Sequence, residues 1–323
     1  MRIIFGLLVC AWLSRLLGGV GGDVVLSNTP SGSAADERLY VAAVRSFQGG
    51  HWGTSARWLE VFIQRHANSP QRPLAVLLLG QSHFYQDAYK EAYRVFSNDR
   101  LVAGPLTDEF LFWMAECRMG QGNLKAAAQI YQELLREHPK SSRITEAIVA
   151  LANVSARQKD WVEVVENLQP ADGVFQKYAT ASPNDEGVLE GRLLLAQALF
   201  ERGDLLSSRS TLDLLPKKLR PKRDWRRRLL QARMTAAESK INEKLLNQAL
   251  LMGDQLRTIA EQRDWGNQLV AAYQLRAELF EQKSDWDRAA QEYSHLLKIG
   301  LPLEIRRRAF LNVIIFRIKA GDF

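Results

Sequence analysis

Histidine is the residue type in this sequence best suited to acid–base chemistry or metal binding, and the chain contains five histidines. No two of them stand three or four residues apart, the spacing that would place two ligands on one face of a helix. The sequence also lacks the Cys-x-x-Cys, HExxH, G-x-S-x-G and Walker phosphate-loop patterns. We therefore expect no metal site, no cofactor and no catalytic residues, and predict that the protein is not an enzyme.

Other reactive side chains fit structural roles. His66 and His138 stand just before breaks between helices, where a histidine interacts favourably with the negative end of the helix dipole. Cys117 lies in the apolar stretch "FWMAECRM", so we expect a buried small hydrophobic residue. Asp185 and Glu186 are adjacent acids in a polar stretch, where solvated charge is the simplest interpretation.

The composition is typical of a folded protein. Of the 323 residues, 46% are hydrophobic and 24% are charged, which makes extensive disorder an unlikely fit to the sequence. The net charge of +7 is compatible with an acidic partner but is too small to establish one.

Residues 1–22 have the order of a secretory signal peptide. Arg2 precedes an apolar run from Ile3 to Leu13, and small residues follow up to Gly22. We expect cleavage near the end of this range, then a linker over 23–35. An uncleaved membrane anchor, a buried N-terminal helix and lipidation at Cys10 remain alternatives. Cleavage would leave Cys117 as the only cysteine, without a partner for an internal disulfide.

A short polar or glycine-containing turn followed by a large apolar residue recurs along the chain. The large residues are 35 to 44 positions apart; a small residue usually follows each by three positions and an apolar residue by seven. This spacing puts all three on one face of a helix. One helical hairpin cannot bury such a face alone, so the hairpins are expected to stack. The large residues are Trp52, Tyr89, Leu124, Trp161, Leu205, Leu246, Trp286 and Phe323.

The clearest unit is "DEFLFWMAECRMGQGNLKAAAQIYQELLREHPKSS", from Asp108 to Ser142, and it resembles the tetratricopeptide repeat family. The resemblance covers residues 36–323 and implies an all-α, right-handed superhelical solenoid of antiparallel helix hairpins. Repeats are expected over 36–170 and 188–323, separated by an inserted loop at 171–187; the signature is weak over 216–262. The closing "KAGDF" resembles the turn inside a repeat, so we expect the last repeat to be incomplete and the native chain to continue.

Two further stretches are similar to units of bacterial envelope proteins. "FQGGHWGTSARWLEVFIQRHANSP" and "LLLGQSHFYQDAYKEAYRVF" resemble the repeats of outer-membrane assembly lipoproteins and of the periplasmic coordinator of the Tol–Pal system. Together with the signal peptide, this resemblance implies export to the periplasm or cell envelope.

The resemblance also implies a function. First helices of successive repeats line a concave groove in this family, so we expect a non-catalytic scaffold that binds protein or peptide partners there. Packing between helices is the alternative role for the same aromatic side chains, and the oligomeric state is left open. The residues expected in the groove are Tyr40, Phe47, Leu77, Gln81, Phe84, Tyr85, Phe112, Glu116 and Arg157.

A basic segment at 216–233 offers a second hypothesis. The positive charges suit binding to a membrane, an envelope surface or another anionic partner. The simpler interpretation is that these side chains face solvent and bind no partner. Nucleic acid is not expected, because no nucleic-acid-binding motif accompanies the charge. The basic residues are Lys217, Lys218, Arg220, Arg226, Arg227 and Arg228.

A further alternative for the function is that the chain is the N-terminal adaptor part of a larger protein, which could be an enzyme, with its functional domain beyond residue 323.

Overall fold

The computed structural model describes residues 34–239 and 242–321. Sixteen α-helices and no β-strand occupy these ranges, which confirms the all-α class and the arrangement as helix hairpins. The described chain divides into two compact units, the first reaching Gln158 and the second beginning at Lys159. The predicted signal peptide, most of the predicted linker, and Asp322 and Phe323 lie outside the described residues.

Unit 1 contains seven helices, and each packs against the next in the chain. First and second helices of a hairpin alternate, and two short 3-10 turns precede the fifth helix. The helices are α1 (Ala34–Gln48), α2 (Trp52–Arg65), α3 (Arg72–Tyr85), α4 (Tyr89–Asn98), α5 (Thr107–Gly120), α6 (Leu124–Glu137) and α7 (Ile144–Arg157).

Unit 2 contains nine helices. Successive helices pack against each other from α12 onward, whereas α8 packs mainly on α10. The helices are α8 (Trp161–Leu168), α9 (Val174–Ala181), α10 (Glu186–Glu201), α11 (Leu205–Asp213), α12 (Pro221–Glu238), α13 (Glu243–Gln262), α14 (Gly266–Gln282), α15 (Trp286–Leu297) and α16 (Leu303–Ala320).

The recurring large apolar residues mark the starts of second helices. Six of them are the first residue of a helix, whereas Leu246 lies inside α13. The small residue three positions later is fully buried, so two helices approach closely there. Where that residue is serine, its hydroxyl donates to a carbonyl of the preceding helix: Ser55 to Ala43 at 3.0 Å and Ser208 to Ala196 at 2.7 Å.

The turns before six of the second helices, α2, α4, α6, α8, α11 and α15, share one backbone geometry. The residue two positions before the helix has a positive φ, which glycine adopts without strain, as at Gly122 (75°) and Gly203 (84°). Other side chains take this conformation in some repeats, including Lys159 (62°) and Ser284 (56°). In four turns the next residue caps the helix, its side chain accepting a hydrogen bond from a backbone N–H three positions on. These caps are Asn123, Asp160, Asp204 and Asp285.

The segment expected as an inserted loop contains a helix. Within residues 171–187, α9 spans Val174–Ala181 and buries Phe175 and Ala179, which lie four positions apart on one face. Because α8 still packs on α10, the insertion adds a helix at the side of the stack without separating its neighbours.

Helix α16 presents two different faces. Phe316 and Ala309 are buried against α15, whereas Phe310, Leu311 and Ile318 are each more than half exposed.

Among the helices of the described ranges, α16 included, none has both the length and the apolarity needed to span a bilayer.

Candidate partner-binding site

Four of the nine predicted groove residues are core residues. Phe47 and Leu77 are completely buried, and Gln81 and Phe112 are 2% and 4% exposed. Their side chains hold neighbouring helices of unit 1 together and are not available to a partner. This corrects the expectation for these four positions; Tyr40, Phe84, Tyr85, Glu116 and Arg157 retain exposed surface.

Aromatic rings from α2, α3 and α5 form one connected cluster. The centroid of Tyr85 lies 4.6 Å from that of Trp52 and 5.9 Å from that of Trp113, while Phe84 contacts Trp113 at 5.1 Å in an edge-to-face arrangement. Burial raises the pKa of the Tyr85 hydroxyl, and this buried hydroxyl has no hydrogen-bond partner among the described residues. The cluster therefore carries an unsatisfied polar group at its centre.

Tyr40 belongs to a separate contact at the start of unit 1. Its ring lies 5.1 Å from that of Phe62, and burial raises its pKa to about 12. The hydroxyl therefore stays protonated at physiological pH and can donate a hydrogen bond.

Glu116 lies on α5 among aromatic side chains. The hydroxyl of Tyr131 on α6 donates a hydrogen bond to its Oε1 atom. Burial raises the pKa of Glu116 above the ordinary value, and the Tyr131 hydrogen bond together with Arg143 and Arg157 opposes that rise. Part of the side chain nevertheless remains accessible to solvent.

Arg143, at the residue before α7, is a central residue that the sequence analysis missed. Its Nε donates to Glu109 Oε1 at 2.8 Å and its Nη1 to Glu146 Oε2 at 2.9 Å. The guanidinium also lies 4.9 Å from the Phe112 ring centroid. Burial raises the pKa of Glu109 to about 7 against the opposing effect of Arg143, and Glu109 Oε2 has no partner among the described residues.

A sequence signal for this ion-pair cluster existed. Glu109 stands in the first turn of α5, directly before its apolar run, and Arg143 follows it by 34 residues, close to one repeat length. Charges at matching positions of successive repeats are candidates for contact because neighbouring repeats stack. Arg157 completes the charged set: it is exposed at the end of α7, and its Nε donates to Asn153 Oδ1 at 3.1 Å.

These helices coincide with the match to a known family. The family model for the tetratricopeptide repeat matches residues 109–141. Residues 109–141 form a tetratricopeptide repeat. The match contains Glu109, Phe112, Glu116 and Tyr131, so most of the charged and aromatic cluster lies within it.

Solved tetratricopeptide structures share the fold. A tetratricopeptide repeat protein from Parabacteroides merdae superposes with a TM-score of 0.59 at 15% identity, covering 87% of this chain and 100% of that protein. The apo quorum sensor NprR from B. thuringiensis superposes with a TM-score of 0.56 at 13% identity, covering 82% of this chain and 76% of that protein. The C-terminal part of a tetratricopeptide repeat-containing protein from Cytophaga hutchinsonii superposes with a TM-score of 0.52 at 14% identity, covering 85% of this chain and 99% of that structure. No curated protein matches the sequence.

No group of three or more His, Cys, Asp or Glu side chains within residues 34–239 and 242–321 is placed to hold a metal ion. His66 and His138 are the C-caps of α2 and α6, where the sequence places them. Cys117 is fully buried, as expected for a small core residue.

Four of the six residues of the predicted basic patch form ion pairs within unit 2. Arg226 pairs with Glu190 at 2.5 Å and Arg220 with Glu186 at 3.2 Å, which ties α12 to α10. Arg227 and Arg228 both pair with Asp224 on their own helix. Lys217 and Lys218 are exposed, with no ion pair to another described residue. The Arg220 and Arg226 pairs therefore help to hold α12 against α10, whereas the Asp224 pairs lie within α12.

Proposed function

We propose that unit 1 is a docking module that binds a segment of a partner protein along its first helices, α1, α3, α5 and α7. The observation that carries this proposal is the cluster around Glu116, where ionisable side chains that keep some exposed surface lie among aromatic rings. Protein surfaces that bind peptides combine aromatic side chains with a few fixed polar groups in this way.

The energetics support a binding role over a purely structural one. Removing a charge from water costs several kcal/mol, which an ion pair in the interior only partly offsets. The pKa values of Glu109 and Glu116 are both raised, so burial destabilises the charged carboxylates more than Arg143 and Tyr131 stabilise them. Groups that are retained despite such a cost are more common at functional sites.

The rigidity of the cluster favours the same function. Edge-to-face rings and the Arg143 ion pairs restrict the side chains before a partner arrives, so little conformational entropy is lost on binding. The fold similarity to tetratricopeptide scaffolds gives this arrangement a precedent, and we therefore propose a non-catalytic scaffold.

Photo-crosslinking tests the location of binding. A photoreactive amino acid replaces Phe84, and a control replaces Lys125, an exposed residue on α6. Crosslinked partners are identified by mass spectrometry after irradiation in the native cell. We expect a discrete partner at position 84 that is absent at 125. Equal crosslinking at both positions would place binding elsewhere.

Affinity measurements then test the chemistry. With the purified partner, Glu116→Gln and Arg157→Gln are expected to weaken binding about 10-fold or more each, as central interface residues do. Lys125→Gln is the matched control and should leave the affinity unchanged. Unchanged affinity in both site variants, with normal circular dichroism, would exclude this cluster as the site.

We also propose that the chain is exported to the periplasm or cell envelope. The support is the order of charge, apolar residues and small residues within 1–22 and the similarity of two repeats to envelope proteins. Cell fractionation with N-terminal sequencing tests this: a mature chain starting near residue 20–23 in the periplasmic or envelope fraction is expected. A cytoplasmic chain that keeps Met1 would contradict it.

A further inference from the structure

The helix inserted in unit 2 borders a cavity of about 290 Å³. Its upper walls come from exposed residues such as Gln169 and Thr180, and its floor from the buried residues Arg192, Leu195 and Thr211. Binding pockets for small ligands begin at about 300 Å³, so this cavity suits a small group.

Arg192 is the charged residue of the floor. It lies in the apolar stretch of α10 and is only 9% exposed. Its Nη1 donates to the carbonyl oxygens of Pro183 at 3.1 Å and Leu214 at 3.0 Å, and its Nη2 contacts the carbonyl of Ala179 at 3.4 Å. These carbonyls fix the guanidinium against the ends of α9 and α11.

The cation has no acidic partner among the described residues. None of the eight residues that line the cavity is acidic, and no salt bridge to a described carboxylate involves Arg192. Burial lowers its pKa, with no carboxylate acting against that effect. Arginines that are mostly buried are usually paired with an acid, whereas the described acceptors of Arg192 are backbone carbonyl oxygens.

Some N–H donors of Arg192 remain available for a ligand. A guanidinium has five N–H groups. The Nε–H and one N–H of Nη2 have no acceptor among the described residues, and Nε and Nη2 lie on the same edge of the guanidinium plane. The amide of Gln169 likewise makes no side-chain hydrogen bond to a described residue.

We propose that this cavity binds a carboxylate group, which receives two parallel hydrogen bonds from Nε and Nη2 of Arg192. A carboxylate carries one negative charge and two coplanar oxygens, which match a single guanidinium. A phosphate dianion would bring a second charge, and no second basic side chain lines the cavity. The apolar side chains of Leu195 and Leu214 accommodate the carbon skeleton of the ligand.

The site is independent of the proposed docking surface of unit 1, since all its residues belong to unit 2. Two sources supply the same chemistry: a small free organic acid, and the carboxylate at the C-terminus of a peptide. The cavity has room for roughly one amino acid residue, and the rest of a longer ligand would lie outside it.

Calorimetric titration of the full chain tests the proposal at constant ionic strength. One arm uses acetate and succinate, and the other a pentapeptide with a free C-terminus, with its C-terminal amide as the comparison. Inorganic phosphate is the competing anion. We expect saturable binding in at least one arm, with phosphate weaker; the arm that saturates identifies the source of the carboxylate.

Three variants locate the binding. Arg192→Gln is expected to weaken it about 10- to 100-fold, the loss of hydrogen bonds to a charged group. Thr180→Trp is expected to weaken it similarly by filling the opening of the cavity while leaving the arginine in place. Arg202→Gln removes an exposed charge at the end of the same helix and should bind like the native chain.

The proposal is overturned if neither arm saturates, if binding survives in both site variants, or if phosphate binds as tightly as the carboxylates. Circular dichroism checks the fold of each variant. Should Arg192→Gln fail to fold, Thr180→Trp decides the outcome, because it leaves the carbonyl contacts of Arg192 in place.

Discussion

The ring of Phe96 on α4 occupies the space that a side chain at Gly80 on α3 would need. A methyl group at Gly80 would lie 2.5 Å from Cε1 of Phe96, closer than carbon atoms pack in proteins. Phe96 is fully buried at the seventh position after Tyr89 in its repeat, so the ring has no free space to enter. Gly80 is therefore fixed by its partner residue across the hairpin.

Gly80→Ala is expected to lower the free energy of unfolding by about 1–3 kcal/mol, because overpacking costs more than alanine gains in helix propensity. Urea denaturation measures the change. Gly300→Ala is the matched control, since a methyl group there meets no atom within 4 Å. Adding Phe96→Leu to Gly80→Ala should recover part of the loss, and an unchanged loss in the double variant would contradict the steric explanation.

Ser284→Gly is expected to stabilise the protein by about 0.5–1.5 kcal/mol. Ser284 has a φ of 56°, a left-handed conformation that costs a residue with a Cβ atom but not glycine. The neighbouring Lys283 has a φ of −80°, so Lys283→Gly should bring no gain. Thermal denaturation of the two variants compares them directly, and equal effects would argue against relief of backbone strain.

The pKa of Glu109 predicts a pH dependence of stability. Burial raises this pKa from 4.5 to about 7, so between these values the folded state binds more protons than the unfolded state. The free energy of unfolding should therefore fall as pH rises from about 4.5 to 7, by an amount on the order of 1–3 kcal/mol. Urea denaturation of the native chain and of Glu109→Gln across this range measures it. A decline of the same size in Glu109→Gln would assign the effect to other groups.

Arg226→Gln is expected to destabilise unit 2 by about 0.5–2 kcal/mol, the range of partly buried ion pairs. Burial alone would raise the pKa of Glu190, but Arg226 and Arg223 together lower it below the ordinary value. The stabilisation from this pair is therefore present at neutral pH and lost in acid as Glu190 is protonated. Lys217→Gln removes the same charge from an exposed position and should change stability by less than about 0.5 kcal/mol.

Cys117 is expected to resist alkylation in the folded protein. Burial raises the pKa of its thiol and the side chain is fully buried, so neither the thiolate nor access is available. Iodoacetamide treatment followed by peptide mass spectrometry resolves Cys117 from Cys10. Modification should appear only at denaturant concentrations that open unit 1, and rapid labelling without denaturant would contradict the buried assignment.

Local features of the fold were predictable because they depend on neighbours in the chain. The turn before Leu124 and the cap by Asn123 follow from residue types within a few positions. The helix in 171–187 left a signal as well, since Phe175 and Ala179 have helical spacing.

The binding face was less predictable for a physical reason. First helices are covered on several sides by stacked neighbours, so α3 buries every residue from Ala75 to Ser82, and no single exposed stripe marks its outer face. The contacts of Arg143 and Arg192 join distant positions, and spacing within one helix carries no information about them.

The packing of each unit 1 helix against its successor has a consequence for how the protein is made. Contacts between sequence neighbours close short loops, and chains with such low contact order fold rapidly. The hairpin of α1 and α2 can form while later repeats are still being synthesised, and each new helix adds to a completed surface. Unit 1 is therefore expected to assemble progressively from its N-terminal end, with the apolar face of each hairpin exposed until the next helix covers it.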